Sequence, residues 1–354
     1  MPARILELDG LRAVAVMAVV LFHAFGVKGL PGGYLGVDIF FVISGYIITD
    51  TLLREHRSSG TISITGFYRR RVRRLLPALF ALSLVVTLIG LVSNWFKPES
   101  ADYGFVVLVS LASIMNWVRA LGISDGGIMG HAWSLSVEEQ FYLFWPLMLL
   151  LFMKSPRMQA MLTPALVVAI LASLLWRLVL FQADVSAARI YNGLDTRADA
   201  LLIGVLLAVY GVANISQRWM LCVIPAALVL LTMGLVAEWQ SAGMLTFGYT
   251  IAAACAAWLV AASVRPGKLT TTLLKSSVAV WIGVRSYSLY LWHYPIMEWA
   301  RRTGLPDGTW EFVALLASFV AADLSFRFVE RPFLKAGRPD HRRNPADISQ
   351  QAAP

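Results

Sequence analysis

The sequence predicts an all-α polytopic membrane protein, a helix bundle of about ten transmembrane helices plus one partially inserted segment at 103–119. Three observations carry this. The 354 residues are 58% hydrophobic and 14% charged, against about 25% charged in an ordinary soluble domain. The apolar residues fall in long blocks, among them Ala13–Phe25, Leu75–Phe96, Tyr103–Val118, Leu221–Ala237 and Ile251–Val264. The basic residues gather between those blocks. A run of about 20 apolar residues crosses the hydrocarbon core as a helix, and lipid offers a bare backbone no other hydrogen-bonded form. Length alone would allow roughly two or three soluble domains. There are too few charges to cover such surfaces.

Eleven apolar segments are legible: 11–28, 34–53, 75–95, 103–119, 132–153, 160–181, 197–214, 219–237, 243–264, 277–299 and 311–330. If all cross, with the N-terminus inside, the flanking basic residues divide about evenly. If 103–119 enters and leaves on the outer side, ten spans remain and the division becomes 20 inside to 8 outside. The inner set is then Arg4, Arg12, the seven arginines of 54–74, Lys154, Arg157, Arg218, Arg265, Lys268, Lys275 and five residues near the C-terminus. The outer set is Lys28, Lys97, Arg119, Arg177, Arg189, Arg197, Arg301 and Arg302. That bias favours ten spans with both termini cytoplasmic. Segment 103–119 is short and ends in Asn116, Trp117 and Arg119, which suits half-insertion behind a protein shield. The first apolar run lacks a small-residue cleavage site, so it reads as a retained helix. Residues 1–335 form one membrane domain, and 336–354 read as a polar, disordered tail.

The net charge of +9 would suggest nucleic acid in a soluble protein. Here it follows from the clusters between spans, and no nucleic-acid partner is expected. Cys222 and Cys255 lie in separate apolar stretches and imply neither a disulfide nor a metal site.

Ionisable residues inside a membrane are costly, so each is a functional candidate. Arg12 and His23 are eleven residues apart on the first helix. Three turns separate them, so they share a face about 16.5 Å apart along the axis. Arg12 alone also reads as a snorkelling anchor. Asp38 opens the returning helix at roughly the depth of His23, where a carboxylate orients an imidazole. It equally suits a structural hydrogen bond, and the neighbouring glycines and Ser44 suit close helix packing. The loop between helices 2 and 3 carries Arg69, Arg70, Arg71, Arg73 and Arg74. It reads either as a topogenic cluster on anionic lipid or as a phosphate site. The stretch from His131 to Tyr142 holds Trp133, Ser134, Glu138 and Glu139 at the start of a membrane helix. Arg177, Asp195, Arg197, Asp199, His293, Glu298, Asp323, Arg327 and Glu330 complete the polar set. A polar outer half and an arginine-rich inner mouth imply a passage. An enzyme and a transporter fit it equally.

These residues form a series of motifs: Leu8-Asp9-Gly10-Leu11-Arg12-Ala13 with His23; Gly36 to Gly45; Arg69–Arg74 followed by Pro77; His131 to Tyr142; Asp195 to Leu201; Ser286 to Pro295; and Phe328-Val329-Glu330-Arg331-Pro332. In that order, over about residues 5–335, the chain resembles the acyltransferase-3 family of integral membrane acyltransferases. The resemblance implies ten transmembrane helices and transfer of an acyl group, usually acetyl, from cytoplasmic acyl-CoA. The usual acceptor is a hydroxyl of a cell-surface or lipid-linked carbohydrate. It implies a bacterial cytoplasmic membrane location, with acyl-CoA, a carbohydrate or glycolipid and membrane lipids as partners, and no metal. Many members append an esterase-like domain, which is not expected in this chain. The family's functional arginine and histidine map onto Arg12 and His23, its arginine motif onto Arg70, Arg71, Arg73 and Arg74, and its late glutamate onto Glu330.

The expected site therefore has His23 as general base, oriented by Asp38 or Glu138. Arg12, Arg70, Arg71, Arg73, Arg74 and Glu330 hold acetyl-CoA. Ser44, His131, Trp133, Ser134, Tyr142, Asp195, Arg197 and His293 surround the acceptor. An acyl-histidine intermediate is the other chemical route. Acylation of a small hydroxylated metabolite, export of a glycan or lipid, and sensing without chemistry are the competing functions. The charge count makes a direct prediction about topology. Single cysteines placed at 125 and 184 label with an impermeant thiol reagent from outside the cell, and cysteines at 60 and 270 do not. Outward labelling at 270 overturns the ten-span arrangement.

Overall fold

The computed structural model describes residues 4–26, 29–96 and 103–336, and all regular structure among them is helical. The tail at 337–354 and the outer-side residues Lys28 and Lys97 lie outside the described residues. Helices α1 (Leu6–Phe25), α2 (Gly36–Ser59) and α3 (Ile64–Phe96) open the chain. Two short helices follow, α4 (Tyr103–Leu111) and α5 (Met115–Ala120). Next come α6 (Ala132–Phe152), α7 (Pro156–Gln182), α8 (Ala187–Asn192) and α9 (Leu194–Tyr210). Then α10 (Gln217–Met220) leads into α11 (Val223–Val236). A π turn at Met244–Gly248 precedes α12 (Tyr249–Val264). The remainder is α13 (Lys268–Leu274), α14 (Ser277–Val284), α15 (Ser286–Arg301), α16 (Thr309–Ser325), a second π turn at Phe326–Glu330, and α17 (Arg331–Ala336).

Eight of the described helical stretches are long and apolar enough to cross a bilayer. Two further segments expected to cross fall short of that length: α9, with 17 residues, and the α14–α15 pair. That pair replaces a single expected span and breaks at Arg285, whose guanidinium pairs with Asp323 of α16 at 2.7 Å. Segment 103–119 is divided by Ser113, which has φ +56°. Its helices of 9 and 6 residues reach only about 14 and 9 Å, too short for either to cross.

Local chemistry explains several boundaries. Ser155 caps α7, accepting from the Met158 amide at 3.3 Å, with Pro156 at the first helical position where its missing N–H costs nothing. Helix α1 starts at Leu6, five residues before its apolar block, because Glu7 and Asp9 sit favourably in its first turn. The arginine cluster is not in a loop, as expected, but in the first turns of α3. Arginine is a strong helix former, and the i, i+3 spacing of Arg71 and Arg74 puts both on one face.

The surface is apolar where a soluble protein's would be polar: Leu84, Val168, Leu231 and Leu316 are all exposed. Burial is graded across the bundle. The most apolar window of the 33–59 stretch is 72% buried, that of 217–236 only 6%. Helix α2 is therefore the axis and α11 a lipid-facing rim.

Helices α2 and α9 cross at Gly45 and Gly204. A Cβ on Gly45 would lie 2.0 Å from the Leu201 carbonyl oxygen, and one on Gly204 would lie 2.2 Å from that of Val42. This close approach joins Asp38 to Arg197 at 2.7 Å, with both side chains wholly buried. A second buried pair, Arg177 of α7 with Asp199 of α9, lies at 2.9 Å. Arg177 also donates to the carbonyls of Thr196 at 2.8 Å and Thr246 at 2.9 Å, and to the Thr250 hydroxyl. Removing one partner strands the other charge in a low dielectric, so Asp199→Ala is expected to destabilise by about 3–5 kcal/mol. Asp50→Ala, which breaks a half-exposed pair with Arg54, is expected to cost under about 1 kcal/mol. Thermal unfolding of the detergent-purified variants reads the difference.

Candidate active site

Two cavities lie end to end, and four helices contribute to both. The first is lined by Arg12 of α1, Arg71 and Arg74 of α3, Ser44 of α2, Ser134, Glu138 and Tyr142 of α6, and Tyr287 and Tyr290 of α15. The second is lined by His23 of α1, Tyr34 ahead of α2, Arg119 of α5, His131 and Trp133 at the start of α6, Tyr191, Trp239, and Tyr290 and Tyr294 of α15. Each of α1, α2, α6 and α15 runs from one cavity to the other. Eleven residues of α1 separate Arg12 from His23, which fixes their axial spacing at about 16.5 Å. Val37 and Tyr290 line both cavities.

The arginine cavity has a structured wall. Glu138 accepts from Ser44 at 2.7 Å and from Tyr142 at 3.1 Å. The Arg71 guanidinium lies over the Tyr142 ring at 5.0 Å and the Phe67 ring at 5.5 Å. Three guanidinium groups facing one carboxylate leave net positive charge there. Such a wall suits a polyanion, because arginine's planar fork matches phosphate.

Two of the chain's five histidines, His23 and His131, line the histidine cavity, and a third, His293, contacts His23. His293 is wholly buried on α15. Its Nδ1 faces two backbone carbonyls, Tyr290 at 2.7 Å and Leu289 at 3.1 Å. Carbonyls only accept, so Nδ1 carries the proton and the neutral ring presents a lone pair at Nε2. That Nε2 lies 3.1 Å from Nδ1 of His23. His23 Nδ1 therefore donates, and its own Nε2 keeps a lone pair with no protein partner among the described residues. Arg301 fixes the end of α1, donating to the His23 carbonyl at 2.5 Å. His131 is 3% exposed, and neither of its ring nitrogens has a protein partner among the described residues. Tyr294 lies edge-on to His23 at 5.0 Å and tilted on His131 at 5.1 Å. Among the described residues, no three His, Cys, Asp or Glu side chains are placed to hold a metal ion.

Several expected assignments change. Asp38 does not reach His23, because Arg197 holds it. Glu138 lines the other cavity, so neither carboxylate orients the imidazole. Arg197 uses one N–H on Asp38 and lies over Tyr249 at 3.8 Å, with Tyr191 at 5.2 Å and Trp133 at 5.9 Å. The ring faces replace further acceptors; Arg197 backs the histidine cavity without lining it. Ser44, Ser134 and Tyr142 line the arginine cavity rather than the side that holds His23. Asp195 is held by Arg189 at 2.6 and 2.9 Å and by Trp176 at 2.8 Å, and lines neither cavity. Arg70 turns away to Glu55 at 3.2 Å, and Arg73 lines neither cavity. Glu330, in the π turn, accepts from Ser288 of α15 and ties α15 to α16.

Residues 5–324 match the protein family described as acyltransferase domain. The chain belongs to that family. It is 32% identical over 354 residues to the peptidoglycan O-acetyltransferase OatA of Listeria monocytogenes, covering 94% of this chain and 56% of that protein. It is 31% identical over 353 residues to the O-acetyltransferase OatA of Staphylococcus aureus, covering 93% and 57%. The acyltransferase chain thus spans just over half the length of these relatives. No solved structure matches it.

Sequence reasoning missed Tyr34, Val37, Arg119, Tyr191, Trp239, Tyr287, Tyr290 and Tyr294. For α15 a signal existed. Tyr287, Tyr290, His293 and Tyr294 recur at helical spacing and so share a face.

The His23–His293 contact generates a prediction independent of activity. In the acyltransferase labelled with 15N-histidine, His23 carries its proton on Nδ1, and His293→Ala shifts it toward the Nε2–H form. An unchanged tautomer in the variant shows that His293 does not orient the ring.

Proposed function

We propose that this acyltransferase moves an acetyl group from cytoplasmic acetyl-CoA to a hydroxyl of a cell-surface or lipid-linked carbohydrate. One observation carries the reading: the arginine cavity and the histidine cavity lie end to end and share a wall. In this reading the arginine cavity opens to the cytoplasm of a bacterial inner membrane, with both termini on that side. Arg12, Arg71 and Arg74 neutralise CoA phosphates at its mouth. The pantetheine arm carries the thioester along α1 toward His23. The histidine cavity takes the sugar from the outer side against Trp133, Tyr191 and Trp239, whose ring faces suit the apolar face of a pyranose.

The chemistry follows from the tautomers. His23 Nε2 removes the proton from the acceptor hydroxyl as its oxygen attacks the thioester carbonyl carbon. A C–O bond forms, the C–S bond breaks, and the proton passes from His23 to the departing thiolate. An imidazole's ordinary pKa of about 6.5 suits both directions of that transfer. The imidazolium is held at Nδ1 by a charge-assisted bond to His293 Nε2. A neutral histidine thus does what a carboxylate does in many sites with a histidine base.

Binding and chemistry separate along α1, and that yields the test. His23→Ala is expected to abolish transfer while acetyl-CoA still binds. Arg71→Ala and Arg74→Ala are each expected to weaken acetyl-CoA binding by about 10- to 150-fold, the loss of a charge-assisted contact of about 1.5–3 kcal/mol. Radiolabelled acetyl-CoA binding and acetyl transfer on monodisperse variants measure both. Normal turnover in His23→Ala, or undiminished binding in both arginine variants, overturns the assignment.

A further inference from the structure

Six arginines are expected on the outer side, and four of them pair with carboxylates. Arg177 meets Asp199, Arg189 meets Asp195, Arg197 meets Asp38 and Arg301 meets Glu298, all within 2.9 Å. Arg302 is exposed. Arg119 is the exception. It has no carboxylate partner among the described residues, and among those lining the histidine cavity it is the one formally charged side chain. Its guanidinium is nevertheless held in place. Nε donates to Asn192 Oδ1 at 3.1 Å, and Nη1 donates to the Asp125 carbonyl. Asn192 is 1% exposed and is itself anchored, donating to the Ala188 carbonyl at 2.7 Å. The Asp125 carboxylate turns instead to the Gly127 amide at 2.8 Å. Gly130 makes room, since a Cβ there would lie 2.6 Å from Arg119 Nη1. A guanidinium has five N–H groups, so three are left with no protein acceptor among the described residues. His131, next to Gly130, adds a ring to the same cavity whose nitrogens are likewise unengaged.

We propose that Arg119 binds an oxyanion on the acceptor, so that the carbohydrate carries a carboxylate or phosphate on the acetylated sugar unit or the one next to it. The assignment rests on the acceptor reading above and narrows it from any carbohydrate hydroxyl to one on an anionic carbohydrate. A lone cation at a cavity wall raises the local concentration of anions. The planar edge of a guanidinium matches the paired oxygens of a carboxylate or phosphate. Trp133, Tyr191 and Trp239 in the same cavity offer ring faces that hold a sugar without fixing its rotation. An ion pair to a fixed guanidinium supplies that direction and turns one hydroxyl toward His23. Because Asn192 and the Asp125 carbonyl already hold Arg119, the anion meets a preorganised donor, and little side-chain entropy is lost on binding. Two sources present this chemistry: an acidic sugar, or a phosphate joining the sugar to a lipid carrier. Arg119 makes no bond to the acetyl group and takes no proton.

The experiment uses membranes of the producing cell, which hold the native acceptor. The chromosomal copy is deleted, variants are supplied in its place, and isotope-labelled acetyl-CoA is the donor. Tandem mass spectrometry of the wild-type product locates the labelled sugar unit and its neighbours. A carboxylate or phosphate on one of them is expected, and the mass tells the acidic sugar from the carrier phosphate. A neutral unit with neutral neighbours overturns the proposal, whatever the variants do. Arg119→Gln is expected to lower transfer about 10- to 150-fold, the loss of a charge-assisted contact, with acetyl-CoA binding unchanged. Arg119→Lys keeps the charge but loses the geometry of both bonds to Asn192 and Asp125, and is expected to transfer at least about 3-fold faster than Arg119→Gln. A merely structural clamp predicts that the two variants fail alike. Arg302→Gln, at an exposed arginine that lines neither cavity, controls for general surface charge and leaves transfer unchanged. Undiminished transfer in Arg119→Gln, or equal loss in the Gln and Lys variants, overturns the proposal and leaves the acceptor reading standing. A wild-type protein that passes label to no carbohydrate overturns the acceptor reading, and the role of Arg119 with it.

Discussion

The pairing of Asp38 with Arg197 is the interaction on which the rest of the bundle depends. Two charges wholly out of contact with solvent are tolerable only together. Their 2.7 Å separation requires α2 and α9 to touch backbone to backbone, and Gly45 and Gly204 permit that. Helix α2 then has one position along the bundle axis. Val37 precedes Asp38 in the chain, so the wall between the cavities is held in register by the ion pair behind it. Arg197 extends the effect sideways. Its guanidinium packs on Tyr249, Tyr191 and Trp133, and the last two form the aromatic side of the histidine cavity.

Asp38 is therefore occupied, and the imidazole of His23 finds its partner elsewhere. The choice of a neutral histidine has an electrostatic logic. A carboxylate at His23 would be one more buried anion needing its own counter-charge. His293 needs none. Its proton is fixed by the carbonyls of its own helix, one turn back, and its lone pair is delivered by the direction of α15. The same economy of charge runs through the membrane interior. Arg177 meets carbonyls, a hydroxyl and one carboxylate, and Glu138 meets hydroxyls.

Much of this was legible in the residues themselves. Apolar block lengths located most of the long helices, and the shortness of 103–119 marked it as a segment apart, though its division at Ser113 was not legible. The common face of Arg12 and His23 followed from helical pitch alone. Periodicity within the arginine cluster would have separated Arg71 and Arg74 from Arg70, had the cluster been read as helix rather than loop. The partners were not legible. His23 meets a ring 270 residues away, and Asp38 meets Arg197 across 159. Proximity in the chain favoured Asp38 as the orienting group because its helix follows α1. Helix packing decided otherwise. Nothing in a single sequence ranks one buried arginine above one buried histidine as the neighbour of a carboxylate on a third helix. Trp239 lay at the end of an apolar run, where a belt residue and a cavity wall look alike.

The junction of the two cavities has a consequence for the membrane itself. Polar cavities entering a bilayer from opposite ends, if joined, form a water column, and a water column conducts protons. A cell that stores energy as a transmembrane gradient cannot hold an open column of that kind in its membrane. Val37 and the hydrogen-bonded Tyr290, which line both cavities, put a hydrocarbon side chain and an aromatic ring where the two meet. A hydrocarbon side chain at that junction offers water no hydrogen-bond partner, which works against a continuous column.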